Sequence, residues 1–173
     1  MALIAPVITE ARVYRDNTIL IGTGDVTLPT IAYKPYDSTG AGILGTIAMP
    51  TPNLESLEVT INWHSVDREL LAQLAYGTFD LEIRGNQQKT DQRDGRIVNE
   101  GVAIFGSAHT KSVALGSFVQ SQQTEGSLVL EMATLRVDID RTPVFRVDKR
   151  NRILEVMQNG RLVDRLAEER TNL

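Results

Sequence analysis

The chain has 173 residues, the size of a single domain, and a fold of that length buries roughly two thirds of the surface its unfolded chain exposes. With 42% apolar and 23% charged residues and no cysteine, it excludes a disordered body, a disulfide framework, thiolate metal sites and cysteine nucleophiles, and it fits a reducing compartment. The net charge of −4 argues against a general nucleic-acid binder, although residues 141–173 carry eight basic and five acidic side chains against ten and seventeen in residues 1–140.

The N-terminal run Met1–Ile8 is apolar, but no basic residue precedes it and Pro6 interrupts it, so a signal peptide is not expected. No stretch of eighteen apolar residues follows, and no membrane-spanning helix is expected. Strands are predicted at 12–15 and 18–28. Tyr36–Asn53, rich in glycine and carrying Pro50 and Pro52, reads as a long, irregular and mobile loop. In Glu55–Trp63, Leu57, Val59, Ile61 and Trp63 alternate with Ser56, Glu58, Thr60 and Asn62, the pattern of a half-buried strand. Ser65 as N-cap, Asp67 in the first turn, a stripe of Val66, Leu70, Leu71 and Leu74, and Gly77 as the stop predict a helix over Val66–Tyr76. Phe79–Arg84 alternates again, with Phe79, Leu81 and Ile83 against Asp80, Glu82 and Arg84. Further strands are predicted at 97–109 and 112–120. Leu128–Asp140 returns through Arg141-Thr142-Pro143 to Val144–Val147, and Arg152–Met157 returns through Asn159-Gly160, a type I′ turn signal. A short helix at 164–171, with Leu166 and Ala167 inward, ends a single mainly-β domain spanning 1–173.

Chemistry finds little support. Gly40-Ala41-Gly42-Ile43-Leu44-Gly45 spells GxGxxG, but a phosphate site needs a helix to follow, and Pro50 and Pro52 exclude one. His64 and His109, the two histidines, are far apart in sequence and form no metal-ligand spacing. A base–carboxylate pair at His64 and Asp67 competes with the capping roles of Ser65 and Asp67, which explain those residues better. Asp138 and Asp140 suit a strand end. No enzyme activity, metal or cofactor is expected. The cluster Asp148-Lys149-Arg150-Asn151-Arg152 reads as a solvated turn, or as a docking patch in which Lys149, Arg150 and Arg152 meet an acidic partner surface.

Several stretches, taken in order, resemble the major tail tube family of contractile-tailed bacteriophages. They are Asp25–Lys34 with its Leu28-Pro29 step, the glycine-rich Thr39–Gly45, Leu54–Trp63 leading into Asp67–Leu74, and the closing Asn159–Arg170 before Thr171-Asn172-Leu173. The resemblance covers nearly the whole chain. It implies two packed antiparallel sheets, a β-barrel or sandwich, with a flanking helix. It also implies hexameric rings in which four strands from each subunit merge into one barrel around a lumen. About two dozen strands at ~4.8 Å spacing and ~45° tilt give a backbone diameter near ~50 Å and a lumen of roughly 40 Å, enough for duplex DNA. The implied location is the virion, after assembly in the host cytoplasm. Implied partners are further copies of the chain, the tail sheath protein, the tape-measure, and the baseplate and terminator proteins, with DNA passing through without specific binding. Related readings are the tube of a phage-tail-like bacteriocin or a type VI secretion system. A monomeric ligand-binding β-barrel is the alternative from another class. On this resemblance, Gly40, Gly42, Ile43, Leu44, Gly45, Ile47 and Met49 belong to an inter-ring loop, while Ser56, Glu58, Thr60, Asn62, Asp80 and Glu82 are candidates to face the lumen. The acidic balance of residues 1–140 suits a wall that repels phosphate.

Overall fold

The computed structural model describes residues 7–16, 18–19, 24–39, 44–63, 68, 71–72, 75–90, 96–117, 119–121 and 124–171. Thirteen strands are present among them: β1 Val7–Arg15, β2 Thr18–Ile19, β3 Gly24–Thr27, β4 Tyr33–Ser38, β5 Ile47–Leu54, β6 Glu58–Trp63, β7 Thr78–Thr90, β8 Ile97–Ala114, β9 Gly126–Met132, β10 Thr134–Ile139, β11 Thr142–Asp148, β12 Ile153–Gln158 and β13 Arg161–Asp164. A short helix, Arg165–Thr171, follows β13. The fold is mainly β and all strand pairing is antiparallel, in an eleven-stranded sheet and a separate β4–β5 hairpin.

β8 divides the large sheet into two layers. Its first half pairs β7 on one side and, through Val102–Phe105, β10 on the other. Its second half leaves β7 and pairs β9 from Ala108 to Ala114. One layer therefore reads β13-β12-β11-β10-β8-β7-β1-β2, and the other β8-β9-β6-β3. The corner falls at Gly106 and Ala133, where a glycine Cβ would overlap the Thr134 carbonyl oxygen and the Met132 methyl. The Ala133 N–H donates to Ser107 O at 2.9 Å and the Ser107 N–H donates to Thr134 Oγ1 at 2.8 Å, so both backbone donors stay satisfied at the bend.

Both layers turn their apolar alternation inward. Leu57, Val59, Ile61, Leu128, Leu130 and Met132 from one layer join Val13, Phe79, Leu81, Ile83, Ile104 and Leu135 from the other in one buried cluster. Each such burial stabilises by roughly 1.5–3 kcal/mol. The alternation read in Glu55–Trp63 and Phe79–Arg84 holds residue by residue.

Several elements differ from the sequence expectation. The described strands close no barrel. Leu128–Asp140 is broken at Ala133, where the sheet turns its corner. The strands expected at 97–109 and 112–120 are one strand that ends at Ala114, because nothing in 108–114 interrupts the pairing with β9 beyond a bulge at Lys111. The run 18–28 contains β2 and β3, with 20–23 outside the described residues. Within Tyr36–Asn53 the described residues, 36–39 and 44–53, are not irregular: β4 and β5 pair from Tyr33–Leu54 to Ser38–Ile47, and the prolines are tolerated because, among the described residues, both outer edges lack a ladder. Of the helix expected over Val66–Tyr76, Arg68, Leu71 and Ala72 are helical, and the Ala75 N–H donates to Leu71 O at 3.0 Å. Ser65, Val66, Asp67, Leu70 and Leu74 lie outside the described residues.

Both late hairpins are present. Asn159 and Gly160 have φ of 50° and 76°, as a type I′ turn requires. Asp140 and Arg141 make the same left-handed pair at 48° and 63° without a glycine. Asp140 is held there by Gly101, whose N–H donates to its Oδ1 at 3.0 Å and whose carbonyl accepts its N–H at 2.9 Å. Asp164 caps the C-terminal helix through Oδ1 bonds from the Leu166 and Ala167 N–H groups at 3.0 and 3.1 Å. Gly106→Ala is expected to lower stability by about 1–3 kcal/mol and Tm by roughly 2–10 °C, because the backbone it would strike belongs to the corner itself. An unchanged Tm in thermal denaturation would contradict the account of the corner.

Candidate assembly interface

The second layer is a four-strand ribbon, and its registers align side chains into rows. On the core side Val26, Ile61, Leu128 and Val113 stand in one row across β3, β6, β9 and β8. On the opposite side Asp25, Asn62, Ser127 and Ala114 form one row, and Thr27, Thr60, Val129 and Ser112 form the next. A third row joins Glu58, Glu131 and His109 across three strands. This outward face is made of hydroxyls, small side chains and a few carboxylates, with no arginine and no aromatic ring in the three rows apart from the His109 imidazole.

The carboxylates there are paired. Glu58 binds the Lys111 ammonium, which holds the Glu58 carboxyl below its usual pKa and raises that of Lys111. Glu131 accepts from Lys149 Nζ at 2.6 Å, from the Ser56 hydroxyl and from the Leu57 N–H at 3.3 Å. Burial pushes the Glu131 carboxyl up, but Lys149, Ser56 and Leu57 together outweigh it and leave the pKa lowered.

Two edges of the ribbon are open. Among the described residues, β3 pairs only with β6, and Ser112–Ala114 of β8, beyond the Lys111 bulge, pairs only with β9. Unpaired edges carry backbone donors and acceptors that a neighbouring strand can satisfy.

Of the candidates read from sequence, Glu58, Thr60 and Asn62 stand together on the ribbon, and Ser56 sits beside them on Glu131. Asp80 and Glu82 lie on β7, in the other layer. The Asp80 N–H donates to Asp16 Oδ1 at 3.3 Å, and Glu82 accepts from Arg84 Nε at 2.5 Å. That layer's outward face is rich in arginine: Arg84 lies over the Tyr14 ring and Arg136 over Phe105, and Arg136 grips Asp138 with two 2.7 Å bonds. The basic cluster also divides. Lys149 reaches Glu131, while Arg150 and Arg152 are exposed on a turn shaped by Asp148, whose Oδ1 accepts the Arg150 and Asn151 N–H groups at 2.9 and 3.0 Å. Those bonds lower the Asp148 pKa, the Asn151 N–H most strongly.

Gly40, Gly42 and Ile43 lie outside the described residues. Leu44, Ile47 and Met49 are more than half exposed, and Gly45 has a φ of 106° at the end of the hairpin turn. Thr46–Pro52 leads into a strand, not the helix that a phosphate loop needs. Among the described residues, no group of three or more His, Asp or Glu side chains could hold a metal ion, and no helix is long and apolar enough to cross a membrane. Sequence reading passed over Ser127, Val129 and Glu131. Their alternation with Leu128, Leu130 and Met132 is as regular as that of β6 and would have revealed them.

The model of the phage tail tube protein FII family matches residues 6–173. The chain belongs to that family: it is a tail tube protein, structural and not enzymatic. No curated protein matches it. Among solved structures it is similar, at 17% identity and a TM-score of 0.48, to a chain of the sheath–tube complex of an extracellular contractile injection system, PVC, in the extended state, over 75% of this chain and 86% of that one. It is similar at 14% identity and a TM-score of 0.48 to that system's sheath/tube terminator, over 76% of this chain and 93% of that one.

The lowered Glu131 pKa sets a pH dependence. A carboxylate whose folded pKa is depressed contributes stability in full above its unfolded value of about 4.3, and loses it as pH falls through the folded value. Glu131→Gln is therefore expected to cost about 1–2 kcal/mol at pH 7 in urea melts, with the gap from the unaltered chain shrinking below about pH 4. A gap that stayed constant down to pH 3 would place the effect elsewhere than in the charge.

Proposed function

We propose that the chain polymerises as stacked hexameric rings into the inner tube of a contractile phage tail, the conduit for DNA ejection into the host. Membership of the tail tube family supplies the tube. The observation that carries the mode of assembly is the ribbon β3-β6-β9-β8, both of whose lateral edges are open among the described residues. Its strands alternate in direction and are even in number. Copies set side by side in a ring therefore bring β3 of one against β8 of the next in opposite directions, so the antiparallel ladder continues through every junction. Six copies would close a barrel of about two dozen strands with a lumen of roughly 40 Å.

In this arrangement the rows of Asp25, Thr27, Glu58, Thr60, Asn62, Ser127, Ser112 and Glu131 line the channel. Their carboxylates slightly outnumber the two lysines that bind them. DNA meets short hydroxyl side chains and a weakly acidic wall, with no arginine row to retain phosphate. Asp80 and Glu82 fall on the other layer, away from the channel. The wider acidic excess of residues 1–140 is thus largely neutralised locally where DNA passes.

The hairpin β4–β5 then serves as the inter-ring element, through Leu44, Ile47 and Met49 with the tip residues Gly40, Gly42, Ile43 and Gly45. The exposed Arg150 and Arg152 are offered to the sheath, and the tape-measure, baseplate and terminator proteins complete the tail within the virion. Deleting residues 40–48 is expected to leave far-UV circular dichroism, Tm and single rings unchanged while abolishing tubes in negative-stain micrographs. Tubes of normal length from the shortened chain would remove the hairpin from ring stacking.

A further inference from the structure

The layer holding β1, β7, β8 and β10 has an outward face that takes no part in the proposed channel. A trough of about 970 Å³ runs there along β8, with Gly101 and Ala103 as its floor and Arg84, Arg136 and Arg141 on its rim. Ala103 stands in register between Arg84 on β7 and Asp138 on β10, and Gly101 follows on the same face two residues along. The backbone does not require glycine at 101, which lies outside the left-handed region, and among the described residues a Cβ there would touch nothing within 4 Å. A strand glycine without a local cause costs stability and often marks a place where another molecule comes close.

The rim presents guanidinium groups outward and keeps its carboxylates beneath. The Glu82 and Asp138 side chains are 12% and 9% exposed, against 59% and 49% for the Arg84 and Arg136 side chains that they bind. Arg84 also rests on the Tyr14 ring at 5.1 Å, and Arg136 on Phe105 at 5.9 Å. Glu82 takes only Nε of Arg84, and Asp138 takes Nε and one terminal nitrogen of Arg136, so each arginine keeps donors for a ligand. Arg141 is exposed and forms no ion pair with a described acid. It is set at the rim by the left-handed Asp140-Arg141 turn, which the bonds between Asp140 and Gly101 hold. Guanidinium groups fixed before binding lower the ordering cost, and their forked donors match a carboxylate.

The basic strip is short. Past Phe105 the same face carries Asp16, Asp80 and Glu82 around a depression at the corner of the sheet. A long polyanion such as nucleic acid, running along β8, would leave the arginines and meet these carboxylates. We infer that the trough takes a short acidic segment of a partner protein, laid over Gly101 and Ala103 with its carboxylates on Arg84, Arg136 and Arg141. All of these residues belong to one copy, so the site is independent of ring closure and stacking.

Gly101→Val fills the floor without attacking the fold, because its Cβ enters open space and valine suits a strand. The probe is a fluorescent synthetic peptide of alternating glutamate and alanine, read by anisotropy against the purified chain at low salt. The unaltered chain is expected to bind it, and Gly101→Val to bind about tenfold more weakly with Tm unchanged or raised. Arg141→Gln, which leaves the floor intact, is expected to weaken binding roughly tenfold and to reduce its salt dependence. Should Gly101→Val lower Tm, Arg141→Gln decides the matter alone. Failure of the unaltered chain to bind the peptide, or full affinity in both variants, would overturn the site. Equal affinity for a single-stranded oligonucleotide of the same charge would overturn the assignment to an acidic protein segment. None of these outcomes bears on whether the chain forms rings and tubes.

Discussion

The hydrogen-bond ladder along β8 is the constraint on which the rest of the molecule depends. A strand has two edges, and β8 has more claimants than edges. β7 occupies one edge of its first half, while β10 and then β9 occupy the other. Because β9 and β10 are consecutive, the partner strand must turn where it passes from one layer to the other, and it does so at Ala133 opposite Gly106. That turn folds the sheet over its own apolar face and creates the core. It also releases Lys111–Ala114 from β7, leaving that edge without a partner among the described residues.

The same geometry that buries the core therefore exposes the surface proposed for assembly. Among the described residues a monomer has two open edges and an apolar hairpin paired only with itself, which present backbone and exposed apolar area that assembly would cover. Natural proteins commonly blunt such edges with charge or proline, and β3 carries only Asp25. Lys111 sits at the β8 bulge but is directed to Glu58. In the proposed tube the lateral edges are satisfied within a ring and the hairpin between rings, so two separate surfaces govern closure and elongation. In that proposed tube the channel wall follows from alternation: what faces away from the core on β3, β6, β9 and β8 would face the lumen.

Much of this was legible in the sequence where period-two patterning is strong. The inward sets of β6 and β7, the Asn159-Gly160 turn and the helix start at Asp164 follow from local chemistry. The corner was not legible, because no residue between Leu128 and Asp140 breaks the strand pattern; the bend comes from pairing with β8, a tertiary cause. The hairpin was hidden by its prolines, which forbid a central strand but not an isolated one. Among the candidate site residues, Glu58, Thr60 and Asn62 were placed together by alternation. Glu82 has the same local pattern but lies on the other layer, a distinction set by which edge of β8 each strand reaches. Lys149 looked like part of an exposed basic patch until the fold brought Glu131 beside it.

The central claim is that β3 of one copy pairs with the free edge of β8 in the next. Cryo-electron microscopy of assembled tubes tests it most directly, at a resolution that separates strands. The account predicts a continuous antiparallel barrel in which Gly24–Thr27 of each subunit is hydrogen-bonded to Lys111–Ala114 of its neighbour, with Thr60 and Ser127 facing the lumen. A ring joined through other surfaces, with these two edges unpaired or the β6 polar face turned away from the channel, would contradict it.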